Sequence, residues 1–119
     1  MPHIKLEHTE IIETSLIRPV FKQLREILME NAGVKEENCK CKAIQVPIHA
    51  FGNNEAGHFF HLEISLLKGR SEDIRQKIGQ FCLDTLKEYF ADNNGVNTKQ
   101  LSVEIREIAS VNYFTTNTL

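Results

Sequence analysis

HFFHLEISLL (His58–Leu67) alternates without a break. Phe60, Leu62, Ile64 and Leu66 fall on one side, and Phe59, His61, Glu63 and Ser65 on the other. Side chains of a strand point to opposite faces in turn, so this stretch predicts a strand with one apolar and one mixed, polar face. Lys68-Gly69-Arg70-Ser71 then turns the chain. Ser71 is suited to cap a helix, and Glu72 and Asp73 sit where the helix dipole favours negative charge. Ile74, Ile78, Phe81, Cys82, Leu86, Tyr89 and Phe90 recur at helical spacing, and Asp92-Asn93-Asn94-Gly95 supplies a stop. Residues 99–106 alternate again, with Leu101, Val103 and Ile105 opposite Ser102, Glu104 and Arg106. The stretch is therefore one β-α-β unit.

The first half of the chain repeats that order. Residues 3–8 read as a short strand. Leu16, Ile17, Val20, Phe21, Leu24, Ile27 and Leu28 follow at helical spacing, with Pro19 expected near the helix start, where its missing N–H is tolerated. Asn31-Ala32-Gly33 ends that helix. Cys39 to Ile48 reads as a second strand with Lys40, Lys42, Ile44, Val46 and Ile48 on one side and a break near Pro47. Phe51 to Gly57 is a loop. The predicted fold is thus α/β in local order and α+β overall: a duplicated β-α-β unit forming a four-stranded mixed sheet with two helices on one face. Residues 1–119 are expected to form one domain, with halves at 1–50 and 58–107 and a tail at 108–119. Each helical crossover permits parallel pairing within its half.

Composition narrows the function classes. Hydrophobic residues make up 41% and charged residues 25%, the balance of an ordinary globular domain. A net charge of −2, with Lys and Arg dispersed, leaves no nucleic-acid footprint. No run of apolar residues is long enough for a membrane span or a signal peptide. Three cysteines make no disulfide framework. These features predict a cytoplasmic protein without nucleic-acid or membrane partners.

Met1-Pro2 heads the first strand. Initiator methionine is commonly removed before a small residue such as proline. Pro2 would then carry a free secondary amine. Free α-amino groups titrate near ~7.7–8.0, so a modest downward shift gives a neutral base at physiological pH. Other chemical signals are weaker. Cys39 and Cys41 share one strand face, yet a lone Cys-x-Cys is a poor zinc site, and buried thiols are the simpler reading. His58 and His61 fall on opposite strand faces and make a poor metal pair. No phosphate loop or nucleophile elbow is present. Taken by themselves, Arg70, Lys40 and Lys42 read as solvated surface cations.

Together these marks carry a resemblance. A duplicated β-α-β unit beginning at Pro2 is similar to the tautomerase superfamily. Within it, the chain resembles the 5-carboxymethyl-2-hydroxymuconate isomerase family. The residues that carry the likeness are Met1-Pro2-His3, Pro19-Val20-Phe21, His61 ahead of Gly69-Arg70-Ser71, and Val103-Glu104-Ile105-Arg106-Glu107-Ile108 leading to Asn112-Tyr113-Phe114. The resemblance implies a cofactor-free keto–enol isomerase acting on a small anionic dienol or keto acid. It implies Pro2 as general base, Arg70 as a carboxylate ligand, and a homotrimer with sites near subunit junctions. Similar enzymes have Arg-x-Arg in the second strand, where this chain has Lys40-Cys41-Lys42. Lysine keeps the charge and loses the bidentate fork. Lys40 and Lys42 are therefore expected to support Arg70 in substrate binding, with no metal. The tail around Tyr113 is expected to pack on an adjacent chain. Two other readings stay open: a non-catalytic trimeric module that binds a small acid, and a plain ferredoxin-like binding domain.

Overall fold

The computed structural model describes residues 1–91 and 99–116. Its elements run β1 (His3–His8), α1 (Thr14–Ala32), a 3-10 turn (Glu36–Asn38), β2 (Lys40–Gln45), β3 (His58–Leu67), α2 (Glu72–Phe90), β4 (Lys99–Ile108) and a second 3-10 turn (Ser110–Asn112). The sheet order is β2-β1-β3-β4. β1 pairs parallel with β2, β3 pairs parallel with β4, and β1 meets β3 antiparallel at the centre. Each half is thus a parallel β-α-β unit, and the sheet is mixed, as the repeated order predicts.

Register decides which residues share a face. Ile4 lies opposite Ile64 and Leu6 opposite Leu62, and all four are fully buried. Val20, Leu24 and Leu28 of α1 and Ile78, Cys82 and Leu86 of α2 close over them. Phe60 stacks on Phe90 with ring centroids 4.7 Å apart and fills the far end of this layer. Burial of that apolar area is the main stabilising term. It also pushes the Cys82 thiol up to about 12, so this sulfur is inert in the folded chain.

The opposite face is open and charged. Glu63 is within 3.7 Å of Lys5 and 3.6 Å of Arg106. Arg106 reaches Glu104 at 2.8 Å, and His61 bridges Glu104 at 3.1 Å and Ser102 at 2.7 Å. The hydrogen bonds of Arg106 and then of His61 hold the Glu104 carboxyl below its usual range. Lys5, Glu63, Glu104 and Arg106 are therefore already paired within the face.

Three boundaries differ from the sequence expectation. β2 spans Lys40–Gln45 rather than Cys39 to Ile48, because its partner β1 ends at His8, opposite Gln45. One more ladder bond, from Val46 N to the His8 carbonyl at 2.8 Å, completes the pairing. Pro19 lies inside α1, more than one turn beyond its start at Thr14, so the helix runs through the proline. β4 continues to Ile108, two residues past the predicted end. The expected stop at Asp92-Asn93-Asn94-Gly95 lies outside the described residues. No described helix is long and apolar enough to cross a membrane.

Candidate active site

The site grows from the paired starts of β1 and β2. His3 pairs with Lys40 and Lys5 with Lys42, so these four side chains share the open face. Pro2 precedes them, and its carbonyl accepts from Lys40 N at 3.1 Å. Its ring is fully buried. The terminal amine, here on Met1, titrates below the usual α-amino value. Burial is the largest cause, the charge and hydrogen bond of Lys40 follow, and Cys39 opposes weakly. This corner of the molecule therefore favours the neutral form of an amine.

His3 belongs to the same cluster. Burial first, then the charges of Lys40, the chain terminus and Lys42, hold its imidazole below the ordinary range. Its Nε2 lies 3.1 Å from the Tyr113 hydroxyl, and the two rings meet edge to face at 5.9 Å. The tail that follows β4 thus returns to β1 of its own chain. Tyr113 is half-buried there, so its contact with His3 leaves part of the ring uncovered. Phe114 and Val111 remain exposed, so part of the tail still offers an apolar surface. Sequence reading missed Tyr113 as a site residue. The signals available were its place in Asn112-Tyr113-Phe114, one of the marks of the family likeness, and an aromatic ring in a short polar tail.

Arg70 stands at the same end of the sheet. Antiparallel pairing of His3 with Ser65 carries the start of β1 toward the end of β3, just before the Gly69-Arg70 turn. Gly69 adopts φ 142°, a region that favours glycine. Glu107 fixes the turn by accepting from Gly69 N at 3.3 Å and from Arg75 Nη1 at 2.6 Å. Arg75 also donates to the Arg70 carbonyl at 3.1 Å. The Arg70 guanidinium donates to the carbonyls of Leu67 at 3.0 Å and Ala32 at 2.9 Å. It thereby ties the C-terminus of α1, where Gly33 turns left-handed at φ 66°, to the end of β3. Among the described residues, two of its five N–H groups are engaged.

Arg70→Ala should therefore lower folding stability by about 1–3 kcal/mol, the scale of hydrogen bonds from a charged group. Urea unfolding measures this. Stability equal to the parent's would mean that the two carbonyl bonds contribute nothing net.

The structure thus gathers Pro2, His3, Lys40, Lys42 and Tyr113 at one corner, with Arg70 at the same end of the sheet. Among the described residues, no group of three or more His, Cys, Asp or Glu side chains is arranged to hold a metal ion. All three cysteines are free, and Cys39 and Cys41 are half-buried. Burial is the chief cause that raises both thiols. A cavity of about 830 Å³ lies elsewhere, lined by Glu10, Ile12, Tyr89 and Lys99 beyond the other end of β1. It shares no residue with this cationic corner, so it is not the candidate site.

Fold and corner together define a tautomerase-like protein: four mixed strands, two helices on one face, and a proline heading the first strand. The sequence model of 5-carboxymethyl-2-hydroxymuconate isomerase matches residues 2–119. The chain belongs to that family and is an isomerase. Among solved structures, it is similar to a 5-carboxymethyl-2-hydroxymuconate isomerase from Deinococcus radiodurans R1, with a TM-score of 0.82 and 22% identity over 98% of this chain and 90% of that one. It is also similar to Pt0534 inactivated by 2-oxo-3-pentynoate, with a TM-score of 0.80 and 10% identity over 96% of this chain and 91% of that one. A fused 4-OT symmetric trimer matches with a TM-score of 0.78 and 12% identity over 98% of this chain and 94% of that one. At these identities the likeness is one of fold. No curated protein matches the chain.

Proposed function

We propose that this protein isomerises a small anionic dienol or keto acid without a cofactor, using the amine of Pro2 as general base once Met1 is removed. The observation that carries this reading is the environment of the chain terminus. Burial and Lys40 depress the amine of Met1, and Pro2 is the next residue, with its carbonyl accepting from Lys40 N at 3.1 Å. A neutral amine can take a proton from the enol hydroxyl or an acidic carbon and return it at another carbon. Lys40 and Lys42 supply charge for the substrate carboxylates, and Arg70 assists with the N–H groups its carbonyl bonds leave free.

The assembly proposed is a homotrimer, in keeping with the trimeric fused 4-OT neighbour. A sheet face so rich in paired charge is costly to bury unless neighbouring copies satisfy it, and closed three-fold symmetry can do that. The exposed tail residues Val111 and Phe114 would pack at such a junction.

The test is turnover of 5-carboxymethyl-2-hydroxymuconate by Met1-free protein with no added cofactor, alongside the native mass. Isomerisation by a species of three chains is expected. Absence of turnover with this compound and with simpler dienol acids would favour a non-catalytic acid-binding module. A monomeric mass at micromolar concentration would defeat the trimer.

A further inference from the structure

We infer that Tyr113 is a catalytic residue whose phenol, held by His3, donates a hydrogen bond to the substrate oxygen that carries the negative charge of the dienolate. The inference rests on the isomerase reading above and adds a component to it.

The chemistry calls for such a group. When the base takes the hydroxyl proton of a dienol acid, the O–H bond breaks and an N–H bond forms on the amine. Negative charge then spreads from that oxygen to a distant carbon. The ammonium returns the proton to that carbon, a C–H bond forms, and the oxygen becomes a carbonyl. Atoms and charge balance with no further reactant. Lys40, Lys42 and Arg70 are suited to the carboxylates, which are charged throughout. The enol oxygen is different, because its charge changes during the reaction. A preorganised donor aimed there contributes to rate rather than to binding alone.

Tyr113 is positioned for that task. Its hydroxyl lies 3.1 Å from His3 Nε2, and His3, the first residue of β1, is close enough to the chain terminus to feel its charge. The edge-to-face contact of the two rings at 5.9 Å fixes the phenol's direction as well as its distance. Reaching that place requires the tail to leave β4 and return to β1. The second 3-10 turn, Ser110–Asn112, makes that return, with Tyr113 as its capping residue.

The two tautomers of His3 act differently. With the proton on Nδ1, the phenol donates to Nε2 and has no proton left for the substrate. With the proton on Nε2, His3 donates to the phenol oxygen and the phenolic proton points onward. The productive chain is therefore His3 N–H to Tyr113 O–H to substrate oxygen, and each donor polarises the next. The lowered imidazole keeps His3 uncharged near neutral pH, so it adds no cation beside the developing ammonium. The charges that act on it are those of Lys40, the chain terminus and Lys42, and the Tyr113 phenol faces it directly.

The experiment compares Tyr113→Phe, His3→Gln, His3→Leu and the Tyr113→Phe/His3→Leu double variant in Met1-free protein, with 5-carboxymethyl-2-hydroxymuconate as substrate. Phenylalanine keeps the ring and its contact and removes only the hydroxyl. Tyr113→Phe should lower kcat roughly 10- to 100-fold with KM little changed, the scale of a hydrogen bond to a charged oxygen. His3→Gln retains an N–H donor and should keep most of the rate. His3→Leu should lose about as much as Tyr113→Phe, and the double variant little more. The Pro2 amine, followed by NMR, should titrate in Tyr113→Phe where it does in the parent. Parental kcat in Tyr113→Phe, a loss confined to KM, multiplicative losses in the double variant, or a moved Pro2 titration would each overturn the assignment. No turnover by the parent overturns the isomerase reading itself, and Tyr113 with it. Parental turnover with an unaffected Tyr113→Phe overturns Tyr113 alone.

Discussion

Pro2→Ala in Met1-free protein is expected to lower kcat/KM by about 100- to 10,000-fold, the usual contribution of a positioned general base. The variant still begins with an amine, but a primary one on a different frame. The buried ring of Pro2 is what fixes the nitrogen, since Lys40 N already binds the Pro2 carbonyl. Protein that retains Met1 should be equally impaired, because its Pro2 nitrogen is an amide with no basicity. Steady-state kinetics on the three proteins decide this. Full activity in either altered form would remove Pro2 from the mechanism.

Removing both β2 lysines should have an effect of similar size. Lys40 and Lys42 share the open face with His3, and Lys40 also acts on the terminal amine. Lys40→Met/Lys42→Met should lower kcat/KM roughly 100- to 10,000-fold, if each lysine contributes about 1.5–3 kcal/mol to a carboxylate. The pH profile should change too. A nearby cation disfavours the ammonium form and lowers the amine's pKa. Without Lys40 that pKa rises, so the acidic limb of the kcat/KM profile should move to higher pH. At neutral pH less of the amine is then free base, which adds to the loss. A profile that stays in place while kcat/KM falls would confine the lysines to carboxylate binding. Unchanged kcat/KM would leave them as solvated surface cations.

Much of this arrangement was legible along the chain. The alternation of His58–Leu67 specified both faces of β3, and the same parity in β4 set Leu101, Val103 and Ile105 toward the core and Ser102, Glu104 and Arg106 toward the charged side. Ser71 capped α2 as its position suggested, accepting from Ile74 N at 3.3 Å. What escaped the sequence depends on contacts far apart in it. β2 stops at Gln45 because β1 stops opposite it, which no property of β2 itself reveals. Arg70 looked like a free cation beside a helix start, yet it clasps the carbonyl of Ala32, 38 residues away. Tyr113 meets His3 across 110 residues, and only the folded sheet brings the tail to the first strand. The candidate site was thus half visible. Pro2, Arg70 and the lysines were legible as candidates only through the family likeness, and the partners of Arg70 and Tyr113 were not legible at all.

The central claim is that this corner holds a neutral amine on Pro2. NMR titration of the Pro2 nitrogen in Met1-free protein measures it directly. A midpoint below the ordinary α-amino range of ~7.7–8.0, moving upward in Lys40→Met, is the predicted result. A midpoint within or above that range, unmoved by the loss of Lys40, would contradict the account.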